Sequence, residues 1–151
     1  MLKNINPLLT PELLSVLAAM GHGDELAVTD ANFPAESVAR GTSHGRAISA
    51  AGASLPEVVG AILSVLPLDE FVDAPVRRMA IDVTPDELPG VQQEVQTVVD
   101  AVSGRHWPMG VLERFAFYDA ARGCYAVVLT GERRLYGNVL IKKGAIPPES
   151  Y

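Results

Sequence analysis

Apolar residues recur along this chain in two rhythms, one of helical spacing and one of short unbroken runs. Leu13, Leu14, Leu17 and Met20 share one helical face, behind Thr10-Pro11, which has the form of an N-cap followed by proline at the first helical position. Gly21 fits the position just past that helix's end. Ser54-Leu55-Pro56-Glu57 has capping-box spacing and starts a helix with Val58, Val59, Ile62, Leu63 and Leu66 inward, closed by Pro67. Val91, Val95, Val98, Val99 and Val102 form a third stripe. Thr84-Pro85-Asp86-Glu87 repeats the helix-start pattern, with Pro89-Gly90 delaying the helix itself. Arg114 to Ala121 reads as a further helix, ended by Gly123.

The runs fall between these helices. Leu26 to Thr29, Arg46 to Ser49, Val76 to Val83, Cys124 to Thr130 and Asn138 to Lys142 read as strands. They are mostly continuous rather than alternating, which means that both faces of the sheet are covered. Helices alternating with covered strands predict an α/β layered fold. With 151 residues, no repeat and no low-complexity linker, residues 1–151 are expected to form one domain.

Composition narrows the partners. The chain is 48% hydrophobic and 20% charged, with a formal net charge of −6. That charge argues against nucleic acid, whose phosphates need clustered Lys and Arg. The pairs Arg77-Arg78, Arg133-Arg134 and Lys142-Lys143 are scattered and read as solvated surface. No apolar run approaches the ~18 residues of a membrane helix, and Met1-Leu2-Lys3-Asn4 opens no signal peptide. A soluble cytoplasmic protein with no membrane partner is the expectation. The single cysteine, Cys124, lies in a strand-like run and reads as a buried, inert thiol.

Two segments carry the candidate chemistry. In the first, His22 sits between Gly21 and Gly23, with Asp24 two residues on and Asp30 eight residues on. Histidine both gives and takes protons near neutral pH, and flanking glycines leave it unobstructed. His44 and His106 lack such surroundings and read as surface or structural. His22, Asp24 and Asp30 could offer three metal ligands, but no second histidine or cysteine stands at metal spacing, so no metal is expected. In the second segment, Thr130-Gly131-Glu132 precedes Tyr136-Gly137-Asn138. It lacks the glycine span and lysine of a phosphate loop, and no GxGxxG or GxSxG occurs, so dinucleotide and hydrolase readings have no motif behind them. Asp30, Arg114, Tyr136 and Asn138 together offer the donors and acceptors that sugar hydroxyls require, provided that they converge. Asp30 and the end of the Cys124–Thr130 run lie at carboxyl ends of strands, where α/β proteins bind ligands. His22 lies at the opposite end of its strand, which points to a site shared between subunits.

These residues resemble the L-fucose mutarotase family. The likeness rests on Met20-Gly21-His22-Gly23-Asp24-Glu25, on Asp30 with Phe33-Pro34, and on Pro67-Leu68-Asp69. It continues through Arg114-Phe115-Ala116-Phe117-Tyr118, Thr130-Gly131-Glu132 and Tyr136-Gly137-Asn138. It runs in order from residue 1 to about residue 146. Gly23, Phe33 and Gly137 stand where the related D-ribose pyranase branch tends to have threonine, leucine and alanine. The sequence departs from the pattern at Ser49-Ala50-Ala51-Gly52, over residues 37–45 and over residues 82–109.

The resemblance implies a three-layer α/β/α fold around a mixed sheet and an isomerase that interconverts the anomers of L-fucose without a cofactor. It implies that His22 is the proton donor. Asp30, Arg114, Tyr136 and Asn138 would bind the sugar, with Gly137 contributing backbone and Asp30 holding a hydroxyl or orienting the imidazole. It also implies a ring-shaped homo-oligomer, commonly a decamer, with sites at subunit interfaces. The other readings are a D-ribose pyranase and a non-catalytic monosaccharide-binding accessory protein.

Overall fold

Two of the helix starts use the caps written in the sequence. Thr10 Oγ1 accepts the Leu13 N–H at 3.2 Å and opens α1 (Pro11–Ala19). At α3 (Leu55–Leu63), the Ser54 N–H and Oγ–H both donate to Glu57 Oε2, at 2.8 and 2.7 Å. In the computed structural model, which describes residues 1–150, these two helices are joined by β1 (Glu25–Thr29), α2 (Ala35–Ala39) and β2 (Ala47–Ala50). After α3 come β3 (Val76–Met79), α4 (Gly90–Ser103), β4 (Gly110–Leu112), α5 (Arg114–Arg122), β5 (Ala126–Thr130) and β6 (Val139–Lys142).

The strands form one mixed sheet in the order β2-β5-β1-β6-β3-β4. β5 runs parallel to β1 and β2, and β3 parallel to β4. β6 is antiparallel to both of its neighbours, β1 and β3. Alternate strand residues serve two cores. Leu26, Val28, Val128, Val139 and Ile141 pack under α1, α3 and α4. Ala27, Val127 and Leu140 pack on the other side, with Val38 of α2 and Phe117 of α5. The expected three-layer α/β/α fold is therefore present, and the unbroken apolar runs have this cause.

The structure corrects several local expectations. Gly21 does stand just past α1, after the C-cap Met20, but the left-handed residue is Gly23, with φ +86°. The end of α1 is closed instead by Lys143, whose Nζ donates to the carbonyls of Leu17 and Met20. Thr84 begins a turn, and the helix is delayed to Gly90 as Pro89-Gly90 implied. The carbonyl of Pro85 that a helix would bond is taken by Arg78 Nη2 at 3.0 Å, and Pro89, four residues on, has no N–H to offer it. β3 stops at Met79, and Val83 is exposed. Val102 lies beyond the buried part of the α4 stripe. The element α2 is only five residues long and β4 only three, too short for any periodicity to show.

The basic pairs are less idle than surface charges. Arg78 is buried, Arg77 pairs with Glu25 at 2.7 Å, and Arg134 forms a fork with Glu94 at 2.9 and 2.8 Å. Cys124 is buried, and that burial pushes its thiol pKa up to about 12, an unreactive state. His44 and His106 each hold a carboxylate, Glu12 at 2.9 Å and Asp100 at 2.7 Å. Among the described residues no helix is long and apolar enough to cross a membrane.

Candidate active site

The pairing of β1 with β6 brings the two sequence segments together. Register sets Val28 opposite Val139, so Asp30 and Asn138 leave the sheet side by side. Asn138 binds Asp30 twice. Its Oδ1 accepts the Asp30 N–H at 2.9 Å, and its Nδ2 donates to Asp30 Oδ2 at 2.9 Å. Asp30 Oδ1 accepts the Asn32 N–H at 3.0 Å, which fixes the turn after β1. Burial raises the Asp30 pKa. The Asn32 N–H, the Asn138 amide and the N–H groups of Phe33 and Gly137 offset that rise in part.

These two residues line a cavity of about 260 Å³ together with Arg114, Tyr136, Met79, Phe33 and Tyr118. The volume lies below the ~300–1,000 Å³ of pockets for drug-sized ligands. One wall is polar, from Asp30, Asn138 and Arg114. The other is apolar and aromatic, with the Phe33 and Tyr118 rings 5.3 Å apart. Arg114 opens α5, where the Glu113 carboxylate caps the N–H groups of Phe115 and Ala116 at 3.0 and 3.1 Å. Arg114 Nε lies 3.3 Å from Asp82 Oδ2, yet this nitrogen has no hydrogen-bond acceptor.

The loop that carries Tyr136 is under strain. Tyr136 has φ +62°, a left-handed conformation that costs a non-glycine residue about 1–3 kcal/mol. Its carbonyl is held by Gln92 Nε2 at 2.8 Å, and the same nitrogen donates to the Met79 carbonyl at 2.8 Å. Gln92 Oε1 accepts Arg78 Nη1 at 3.1 Å. Gly137 must be glycine here, because a Cβ would meet Glu132 Cγ at 2.9 Å and Asp30 Cβ at 3.4 Å. Glu132 belongs to this frame and does not line the cavity. Arg134 binds its carboxylate through Nε and Nη2, both at 2.9 Å, and draws its pKa down to about 2. Gln92→Leu would take the side-chain donor from the carbonyls of Met79 and Tyr136, at ~1–3 kcal/mol for each buried group, while Arg78 keeps the Pro85 carbonyl. The expected result is a loss of about 3 kcal/mol in chemical denaturation.

His22 stands at the other end of β1, where β6 also contacts its loop. The Gly23 N–H donates to the Lys143 carbonyl at 2.8 Å, and the Lys143 N–H to the Asp24 carbonyl at 2.9 Å. Five strand residues at ~3.3 Å each set His22 roughly 16 Å from the Asp30 cavity. Asp30 therefore does not orient the imidazole of its own chain. The carboxylate in contact with it is Asp69, with Oδ1 3.0 Å from His22 Nε2. His22, Asp24 and Asp30 do not converge on a metal site, and Asp24 Oδ2 accepts the Gly21 N–H at 2.7 Å. Sequence reading missed Asp69 and Gln92 as site residues. The only signal for Asp69 was its place in the Pro67-Leu68-Asp69 motif.

A covered mixed sheet, with a polar cavity beyond the end of β1 and an imidazole–carboxylate pair at its start, defines an α/β/α protein with two separate clusters of candidate site residues. Its relatives narrow that class. The chain belongs to the RbsD / FucU transport protein family, whose model matches residues 3–146. The L-fucose mutarotase of Actinobacillus pleuropneumoniae serotype 5b (strain L20) is 44% identical over 148 residues, covering 97% of this chain and 99% of that protein. The crystal structure of protein Atu2016 superposes with a TM-score of 0.95 at 49% identity, covering 97% of each chain. The fucose mutarotase of Streptococcus pneumoniae in complex with L-fucose superposes with a TM-score of 0.86 at 34% identity, covering 97% of this chain and all of that one.

Proposed function

We propose that this protein is an L-fucose mutarotase, an isomerase that interconverts the α and β anomers of L-fucose. The observation that carries the reading is likeness over nearly the whole length to proteins of that activity, together with a cavity that combines hydroxyl-binding groups with an apolar wall. The same relatives favour it over a D-ribose pyranase. Residues 1–151 act as one mutarotase domain, and the setting is cytoplasmic, in keeping with a lone buried thiol.

The chemistry asks little of the protein. The anomeric hydroxyl loses its proton to water, the bond between C1 and the ring oxygen breaks, and the ring oxygen takes a proton. The open aldehyde turns about its first carbon–carbon bond and recloses, reversing each transfer. His22 gives the proton to the ring oxygen and recovers it on closure. Asp30, Arg114, Tyr136 and Asn138 hold the hydroxyls, and the Gly137 backbone fits against them. No electron is transferred overall.

One chain does not bring His22 to the cavity, so the reading includes a homo-oligomer. A ring, of ten copies as in the resemblance, would set His22 of one subunit against the cavity of the next. Exposed apolar side chains support this. Phe71, beside His22, is 82% exposed, while Leu135, at the cavity, and Phe115, next to Arg114, are 65% and 62% exposed.

Saturation-transfer NMR tests the activity directly. Anomer exchange of L-fucose is expected to exceed the uncatalysed rate by ~10²–10⁴-fold, and to exceed the enhancement for D-ribose and D-galactose. Faster exchange of D-ribose would favour the pyranase. Binding of L-fucose without faster exchange would favour the accessory protein.

A further inference from the structure

Asp69 is the carboxylate in contact with His22, and the two side chains differ sharply in exposure. The imidazole is 48% exposed and the carboxylate 5%. One edge of the ring is anchored and the other presented. Asp69 is itself pinned. Its Oδ1 also accepts the Phe71 N–H at 3.1 Å, and its own N–H donates to the Lys142 carbonyl at 3.2 Å. The Phe71 ring lies 5.4 Å from the imidazole, tilted by 50°.

We propose that Asp69 is the positioning residue for His22, holding Nε2 so that Nδ1 is the nitrogen that exchanges a proton with the sugar. The proposal rests on the reading of His22 as the proton carrier. Burial works against charge on Asp69. The His22 ring, the Phe71 N–H and the positive charge of Lys142 outweigh it and hold the carboxyl below its ordinary pKa. An ionised carboxylate accepts only, so Nε2 must carry the hydrogen. The other charged side chain of the His22 loop, Asp24, is occupied by the Gly21 N–H. In the reaction, the Nδ1 proton passes to the ring oxygen, leaving a neutral ring that is still protonated at Nε2. When His22 is fully protonated, Asp69 balances its charge.

Long-range ¹H–¹⁵N correlation on the intact wild-type protein reads the tautomer without any assay of activity. With the ring neutral, Nε2 is expected at the shift of a protonated ring nitrogen and Nδ1 at that of an unprotonated one. The reverse assignment would overturn the proposal. Asp69→Asn is expected to lower kcat about tenfold, a fraction of the ~10²–10⁴-fold of acid–base catalysis, with KM changed less than twofold. A folded Asp69→Asn protein with wild-type kcat would also overturn it. His22→Ala separates this inference from the one beneath it. If His22→Ala keeps full exchange, the proton-carrier reading fails. If His22→Ala loses exchange and Asp69→Asn does not, only the role of Asp69 fails.

Discussion

His22→Ala is expected to remove ~10²–10⁴-fold of anomer exchange and to leave the fold intact. Both halves of that expectation come from the geometry. The imidazole is half exposed, and its contacts are Asp69 at 3.0 Å and the Phe71 ring at 5.4 Å, so its removal opens no cavity in either core. Surface changes of this kind usually stay within about ±0.5 kcal/mol. Asp69 loses one hydrogen bond but keeps the Phe71 N–H at 3.1 Å. The Asp30 cavity lies at the far end of β1 and keeps its own network through Asp30, Asn138 and Gln92. Binding of L-fucose should therefore survive where exchange does not. Circular dichroism, titration calorimetry and saturation-transfer NMR on one sample would separate the three quantities. Full retention of exchange would remove His22 from the mechanism.

Gly144→Ala is the second large expectation, and it acts on stability and activity together. Gly144 needs glycine for space, not for backbone angle. A Cβ there would lie 2.7 Å from the Leu68 carbonyl carbon, closer still to its oxygen, and 2.9 Å from the Asp69 Cα. These are backbone atoms that no rotamer change can move. The Gly144 N–H also donates to the Pro67 carbonyl at 2.8 Å, so separation of the two segments breaks that bond. Overpacking against mobile side chains costs ~1–3 kcal/mol, and a rigid neighbour places this variant at about 3 kcal/mol or more. Relaxation would carry Asp69 away from Nε2. The expected result is an earlier urea midpoint together with a lower kcat at unchanged sugar affinity. A variant with both wild-type stability and wild-type kcat would show that the 67–69 segment yields easily.

Much of the fold was legible because its signals are local. Thr10 with Pro11 and Ser54 with Glu57 act within one turn, and the covered strands differ plainly from their surroundings. Elements such as α2 and β4 escaped because a few residues carry no period. Thr84 misled because its signal is also local, whereas its outcome was set by Arg78 reaching the Pro85 carbonyl from β3. The site was half legible. Asp30, Arg114, Tyr136 and Asn138 do line one cavity, which spacing alone could not say, since β6 must first pair antiparallel with β1. Asp69 was chemically invisible. It stands 47 residues from His22 and depends on the segment that Gly144 admits. Gln92 looked like an ordinary polar residue of α4 and is in fact fully buried, the brace behind a left-handed tyrosine.

β1 and β6 touch both halves of the site, and this gives the strand pair the character of a ruler. In the proposed ring, its length sets the distance between the imidazole that a subunit would lend and the cavity that it would keep. One residue added to β1 would turn its inward side chains to the opposite core. Two would restore the facing but lengthen the span by ~6.6 Å, enough to put a neighbour's imidazole out of reach of a sugar. The edge strands β2 and β4 carry no such measure. Variation in strand length should therefore be found at the margins of the sheet and not at its centre.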